Sequence, residues 1–135
     1  MVQERKDVPK DIDIELAKFL LEKVDGKKST FTYTYKETAE ALSKRLGREI
    51  NPHFGLRYPL GRIMELCCEL DLPIITVLVR HAGKKESVGE GFYSLACDLR
   101  PEYKKLSPDA VLKKERERVQ QCEDWSALRD YLNKF

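Results

Sequence analysis

Three features that follow one another between Leu56 and Tyr93 predict an α+β fold: a winged helix-turn-helix core with one N-terminal and two C-terminal additional helices. An amphipathic segment, LRYPLGRIMELCCEL, carries a proline near its start and leads into a β-rich apolar run, PIITVLVR. A Gly- and Lys-containing loop, HAGKKESVGEG, then precedes an aromatic pair. Helix, strand, exposed basic turn and return strand, in that order, are the working half of such a module. With 135 residues the chain is long enough for one domain with a core and too short for two ordinary ones. The expected layout is a single domain over 1–135, with the core and its N-terminal helix at 11–99 and a helical extension at 100–135.

Taken in order, Asp11 is placed to cap a first helix running to about Val24. Its residues Ile12, Leu16, Phe19, Leu20 and Val24 recur at three- and four-residue steps. Thr30–Tyr35 alternates β-branched and aromatic residues, the mark of a short strand. Thr34 followed by Glu37 forms a capping-box pattern ahead of Ala39, Leu42 and Leu46, and Gly47 supplies a left-handed stop. A helix over Tyr35–Leu46 follows. After an irregular connector, Pro59 suits a first helical position, and Leu60, Ile63, Met64, Cys67 and Leu70 line one face. Asp71 and Pro73 close that helix, Ile74–Val79 has the composition of a buried strand, and Phe92, Tyr93 and Leu95 suggest the returning strand. Beyond Arg100-Pro101, Pro108 begins a charged helix with Val111, Leu112, Val119 and Cys122 as a thin stripe. Trp125, Leu128, Tyr131 and Leu132 mark a last docking element.

The composition narrows the classes. Hydrophobic residues at 41% beside 36% charged residues describe a folded chain rather than a disordered one. The run Leu72–Val79 is far too short to span a bilayer, and the N-terminus MVQERKDVPKDID lacks the apolar core of a signal peptide. A cytoplasmic protein with no membrane partner is expected. The four cysteines include no CxxC pair, and His53 and His81 stand at no metal-ligand spacing from them, so neither a metal nor a cofactor is expected. A net charge of +2 is too mild to argue for a nucleic-acid partner in bulk, and the argument turns on where the charges sit.

The helix from Pro59 is the first candidate contact surface. Glu65 and Glu69 on its later turns repel phosphate, whereas Arg57, Tyr58 and Arg62 gather at its start, where free N–H groups also favour anions. Lys84 and Lys85 at the tip of the expected hairpin, with Arg80 at its base, are placed to hold phosphate, as are Lys44 and Arg45 at the end of the preceding helix. Each of these also has a plainer role as a solvated or helix-terminal cation. Glu102-Tyr103-Lys104 has the Glu-x-Lys form of some metal-dependent nucleases, but no strand-borne aspartate precedes it.

The stretches TFTYTYKETAEALSKRLG, LRYPLGRI, LDLPIITVLVR and GEGF together resemble the DNA-binding domain of alkylguanine-DNA alkyltransferases and alkyltransferase-like proteins, over roughly residues 30–93. The resemblance implies a winged-helix reader with an arginine on its recognition helix, for which Arg57 is the nearest positional match and Arg62 the second. Where that family carries Pro-Cys-His-Arg, this chain reads Ile75-Thr76-Val77-Leu78-Val79-Arg80, with no nucleophilic cysteine. No alkyl transfer is therefore expected. The same pattern is similar to small modules that accompany bacterial restriction-type nucleases. The expected function is a non-enzymatic DNA-binding protein on double-stranded DNA, in a bacterial restriction, defence or mobile-element setting. The alternative is a protein-interaction module, adaptor or inhibitor, that keeps the fold and uses its C-terminal helices for a protein partner or a homodimer. A third class, an enzyme within a nuclease system, has the weakest motif support.

Overall fold

A computed structural model describes residues 10–25, 32–80 and 90–135. The fold is mostly helical, with a small two-stranded parallel sheet, an arrangement compatible with an α+β class. Helix α1 (Asp11–Asp25) buries Ile12, Leu16, Phe19 and Leu20, the stripe its periodicity predicts. It packs against α2 (Tyr35–Leu46) and α3 (Phe54–Glu69).

The start of α2 is fixed locally. Thr34 Oγ1 accepts from the N–H of Glu37 at 3.0 Å, and Glu37 Oε1 accepts from the N–H of Thr34 at 2.9 Å. Two of the helix's orphan donors are thereby met by the box that the sequence spells. At the far end Gly47 adopts φ 69°, and its N–H donates to Ser43 O at 2.9 Å. Strand β1 (Tyr33–Thr34) immediately precedes this helix, within the predicted strand Thr30–Tyr35; Thr30 and Phe31 lie outside the described residues.

Helix α3 begins earlier than its proline suggests. It starts at Phe54, so Pro59 lies inside the helix rather than at its first position. Asn51 provides the reason: its Oδ1 accepts from the N–H groups of His53 at 2.9 Å and Phe54 at 2.8 Å, and its carbonyl accepts from Gly55. That side-chain bonding nucleates the turn at Phe54, and Pro59, inside the helix, has no N–H to donate to the Gly55 carbonyl. Gly55 is required there by crowding, since a Cβ would stand 2.9 Å from Ile50 Cγ2. Leu56, Pro59, Leu60, Ile63, Met64 and Cys67 form the buried face of α3. Asp71, at φ 60°, turns the chain out of the helix.

The buried strand expected at Ile74–Val79 is mostly a 3-10 turn. Ile75–Leu78 forms that turn and only Val79–Arg80 is strand, β2. Strand β2 pairs in parallel with β1 in the register Tyr33 to Val79 and Thr34 to Arg80. The run is buried as its composition requires, but its backbone groups are met elsewhere. The N–H of Ile74 donates to the Glu115 carboxylate and that of Val77 to Ile74 O. An apolar run of this length reports burial and leaves the backbone conformation open.

The returning strand is likewise replaced. Phe92, Tyr93 and Leu95 belong to helix α4 (Glu90–Leu99), which buries Phe92, Ala96 and Cys97. Phe92–Ala96 and Leu95–Leu99 are four-residue steps, a helical spacing that the aromatic pair masked. Of the basic turn expected over Ala82–Gly91, residues 82–89, with Lys84 and Lys85, lie outside the described residues, and Glu90 and Gly91 begin α4 instead.

The C-terminal elements pack into the same core. After a 3-10 turn at Pro101–Lys105, Ser107 Oγ accepts from the N–H of Ala110 at 3.2 Å and Pro108 begins α5 (Pro108–Gln121). Helix α6 (Ser126–Leu132) buries Leu128 and Leu132, with Trp125 just before it. Core residues come from every one of these helices, as Leu16, Leu42, Ile63, Ala96, Val119 and Leu128 show.

One buried carboxylate ties the C-terminal half to the 3-10 turn. Glu115 is 0% exposed and accepts from the N–H of Ile74 at 2.8 Å and from the Tyr103 hydroxyl. Arg100 Nε stands 3.2 Å from the carboxylate, without hydrogen-bond geometry, and Arg118 Nε stands 3.7 Å away. Arg100 Nη2 also donates to Leu72 O at 2.8 Å. Burial, together with this acceptor, pushes the Tyr103 phenol well above its ordinary pKa. Glu102-Tyr103-Lys104 thus lies in a turn that anchors a core tyrosine, the plainer of its two sequence readings.

Candidate functional site

Helix α3, the 3-10 turn, β2 and α4 enclose one side of a cleft of about 530 Å³, closed off by Tyr35 at the start of α2 and His53 ahead of α3. That volume lies within the roughly 300–1,000 Å³ typical of ligand sites. Leu60, Met64, Val79, Phe92 and Leu95 make the walls largely apolar. Gly61 sits in the wall opposite α4, where a Cβ would meet Leu95 Cδ2 at 3.6 Å, an ordinary packing distance.

Arg57, Arg62, Glu65 and Thr76 add polar groups to this lining. Thr76 is 3% exposed and its Oγ1 has no hydrogen-bond partner among the described residues, although it lines the cleft. An unpaired buried hydroxyl costs about 1–3 kcal/mol. The mouth is built by Arg57 and Tyr58, both exposed, with the Arg57 guanidinium 5.7 Å from the Tyr58 ring centre. Phe54, one turn earlier on α3, is 78% exposed, and Tyr58 is 65% exposed. From Ile50 to Met64 the sequence has no Asp or Glu, so this end of α3 carries cationic and aromatic groups without an acidic counterpart of its own.

The residues expected to contact DNA divide by environment. Arg57 and Tyr58 lie together at the cleft mouth. Arg62 also lines the cleft, but its Nε and Nη2 donate to both oxygens of Asp13 at 2.7 and 3.0 Å, and that carboxylate is buried. Arg45 is paired with Glu22 at 2.5 Å and with Glu15 at 3.7 Å, and it lies 5.5 Å from the Phe19 ring. The charges of Arg62 and Arg45 therefore hold α1 against α3 and α2. Lys44 is exposed in the last turn of α2. Arg80 Nε donates to Thr32 Oγ1 at 2.7 Å beside the small sheet. Lys84 and Lys85 lie outside the described residues.

Because α3 starts at Phe54, Arg57, Tyr58 and Arg62 sit beyond its first turn and not at the free N–H groups expected to favour anions. The terminal N–H groups of His53 and Phe54 are already taken by Asn51. Phe54, Thr76 and Asp13 are absent from the sequence-based site. Phe54 and Tyr58 are spaced to share a helix face, a signal hidden by reading residues 48–58 as a connector. Asp13 falls on the stripe of Leu16, Ala17 and Leu20, which marks a carboxylate in need of a buried partner.

No cysteine is among the described residues lining the cleft, and Cys67 is fully buried with its thiol pushed up to about 12 by desolvation. Such a thiol is a core packing group rather than a nucleophile. Among the described residues no cluster of three or more His, Cys, Asp or Glu is arranged to hold a metal ion. None of their helices is long and apolar enough to cross a membrane. Comparison with protein-family models, with curated proteins and with solved structures gives no match.

Proposed function

We propose that this chain is a non-enzymatic DNA-binding protein whose α2–α3 pair serves as the helix-turn-helix of a winged-helix type core. The N-terminal half of α3 would enter a groove of double-stranded DNA. Arg57 and Tyr58 provide the contacts at the groove, and Lys44 is placed to hold phosphate. The observation that carries this reading is the first part of α3, where Arg57 and two aromatic rings face solvent on a stretch with no Asp or Glu from Ile50 to Met64; Glu65 follows it in the cleft lining. A bacterial defence or mobile-element setting accords with the sequence resemblance.

The test is fluorescence anisotropy on labelled duplex at about 50 and 200 mM salt. Each neutralised phosphate contributes a slope of about −0.9 in log K against log salt. Affinity should fall with salt and drop at least about tenfold in Arg57→Ala, the order expected when one charged group is removed from such an interface. Binding that ignores salt, or that survives Arg57→Ala unchanged, would remove the basis for this reading.

A second reading, a protein-interaction module, is favoured by the same exposed Phe54 and Tyr58, since aromatic residues are enriched at protein interfaces. A pull-down that captures a partner through α3, from a chain that binds no DNA, would favour it.

A further inference from the structure

The outer face of α3 holds two large aromatic side chains that the fold does not use. Leu56, Leu60, Ile63 and Met64 already seat the helix on the core, while Phe54 and Tyr58 remain 78% and 65% exposed. Leaving such rings in water forgoes stabilisation that burial would provide. On an α-helix, residues four apart lie on one face with Cβ atoms roughly 5–6 Å apart. Arg57 lies between them in sequence, its guanidinium 5.7 Å from the Tyr58 ring. Two aromatic side chains and one guanidinium thus share the first turns of α3, on a segment with no carboxylate from Ile50 to Met64.

Resting on the DNA-binding reading, we propose that Phe54, Arg57 and Tyr58 form a stacking platform for unpaired bases. The favoured substrate is then DNA containing unstacked nucleotides rather than perfect duplex. Three properties select this occupant. A guanidinium and two rings each present a flat face, and flat faces pair with the faces of bases. The Arg57 charge, on a stretch with no Asp or Glu from Ile50 to Met64, suits a polyanion. In intact duplex, successive bases along a strand lie about 3.4 Å apart and cover one another's faces, so rings spaced as these are find only edges. In a bulge, mismatch or single strand the faces are free, and each base can settle on a ring while Arg57 reaches the adjoining phosphate. Stacking of this kind is indifferent to base identity because every base has a π face.

The experiment measures the full chain by anisotropy on three DNAs of one sequence: perfect duplex, the same duplex with a bulge of unpaired thymidines, and the single strand. Bulged and single-stranded DNA should bind about 10- to 100-fold more tightly than duplex, the gain expected from one or two stacked bases. Phe54→Leu/Tyr58→Leu keeps apolar bulk and removes the π faces, and should bring that ratio down to about one, within the same stacking argument. Phe54→Tyr/Tyr58→Phe should keep it. Equal affinity of the wild type for all three DNAs would overturn the platform and leave the DNA-binding reading standing. A ratio retained in the double leucine variant would also overturn it, since bulk rather than stacking would then be responsible. Absence of binding to every DNA would overturn both the platform and the parent reading. Self-association abolished by the double leucine variant, with the DNA preference unchanged, would overturn the platform in favour of a second copy of this chain on α3.

Discussion

The surroundings of Glu115 and the outer face of α3 treat costly groups in opposite ways. Around Glu115, a carboxylate without any exposure is met by a backbone N–H, a phenol and two guanidinium groups, and the cluster joins α5 to the 3-10 turn. On α3, Phe54 and Tyr58 stay in solvent, and in the cleft that Tyr58 borders the buried Thr76 hydroxyl has no partner among the described residues. Both arrangements would be penalised in isolation, the first by desolvation and the second by lost burial and an unmade hydrogen bond. The first penalty is offset within the chain. For the second, no offset is found among the described residues. The C-terminal half thus braces the 3-10 turn through Glu115, and Phe54 and Tyr58 on α3 face solvent.

The largest effect on this contrast is expected from Glu115→Ala. It leaves Arg100 without its carboxylate and the N–H of Ile74 without an acceptor, and should cost about 3–5 kcal/mol, much of the stability of a domain this size. Urea denaturation would read the loss as a lowered midpoint. A loss under about 1 kcal/mol would mean that the cluster is incidental to the fold.

Arg62→Ala and Arg57→Ala, measured side by side, come next. Arg62 holds the buried Asp13 carboxylate, so its removal should cost about 1–3 kcal/mol, less than a fully buried pair because Arg62 is partly solvated. Arg57 has no acidic partner in its own segment, and its replacement should shift stability by no more than about 0.5 kcal/mol. Equal destabilisation by the two, measured by thermal melting, would erase the distinction between a structural and an outward-facing arginine.

Thr76→Val tests the cleft floor. The valine has nearly the same shape and removes an unpaired hydroxyl, so the free protein should gain about 1 kcal/mol. A melting temperature that falls instead would show that Thr76 Oγ1 has a partner in solution.

The smallest effect at neutral pH concerns Cys67. Its thiol is raised from an ordinary 9.0 to about 12 in the folded chain, mainly by desolvation. A group held protonated in this way contributes stability that is complete below the unfolded value near 9 and declines as pH rises from there towards about 12. Cys67 should resist alkylation in the native protein near neutral pH and react once urea unfolds it, as differential labelling and mass spectrometry would show. Rapid native labelling would place Cys67 outside the core.

Much of the architecture is legible residue by residue. The Thr34–Glu37 box and Gly47 bound α2, the stripe of Ile12, Leu16, Phe19 and Leu20 defines α1, and Ser107-Pro108 starts α5. The site is less legible. Arg57 and Tyr58 are placed together as the sequence suggests, but Phe54 is hidden by the assumption that Pro59 starts the helix, and Arg62 and Arg45 prove committed to carboxylates on α1. Glu115 sits four residues after Val111 and four before Val119, on the buried stripe of α5, so its burial is legible in the spacing although its partners are not.

Residue order alone sets the helix boundaries made by caps and the faces made by periodicity, because those forces act within three or four residues. Three outcomes were left to the folded chain: that Ile75–Leu78 forms a 3-10 turn, that Val79–Arg80 pairs with Tyr33–Thr34, and which arginines remain available at the surface. They depend on partners far along the chain: Ile74 finds Glu115 at a separation of 41 residues, and Arg62 finds Asp13 at 49. A buried backbone group or charge must be satisfied by whatever the fold brings beside it, and a local pattern of residue types holds no record of that neighbour.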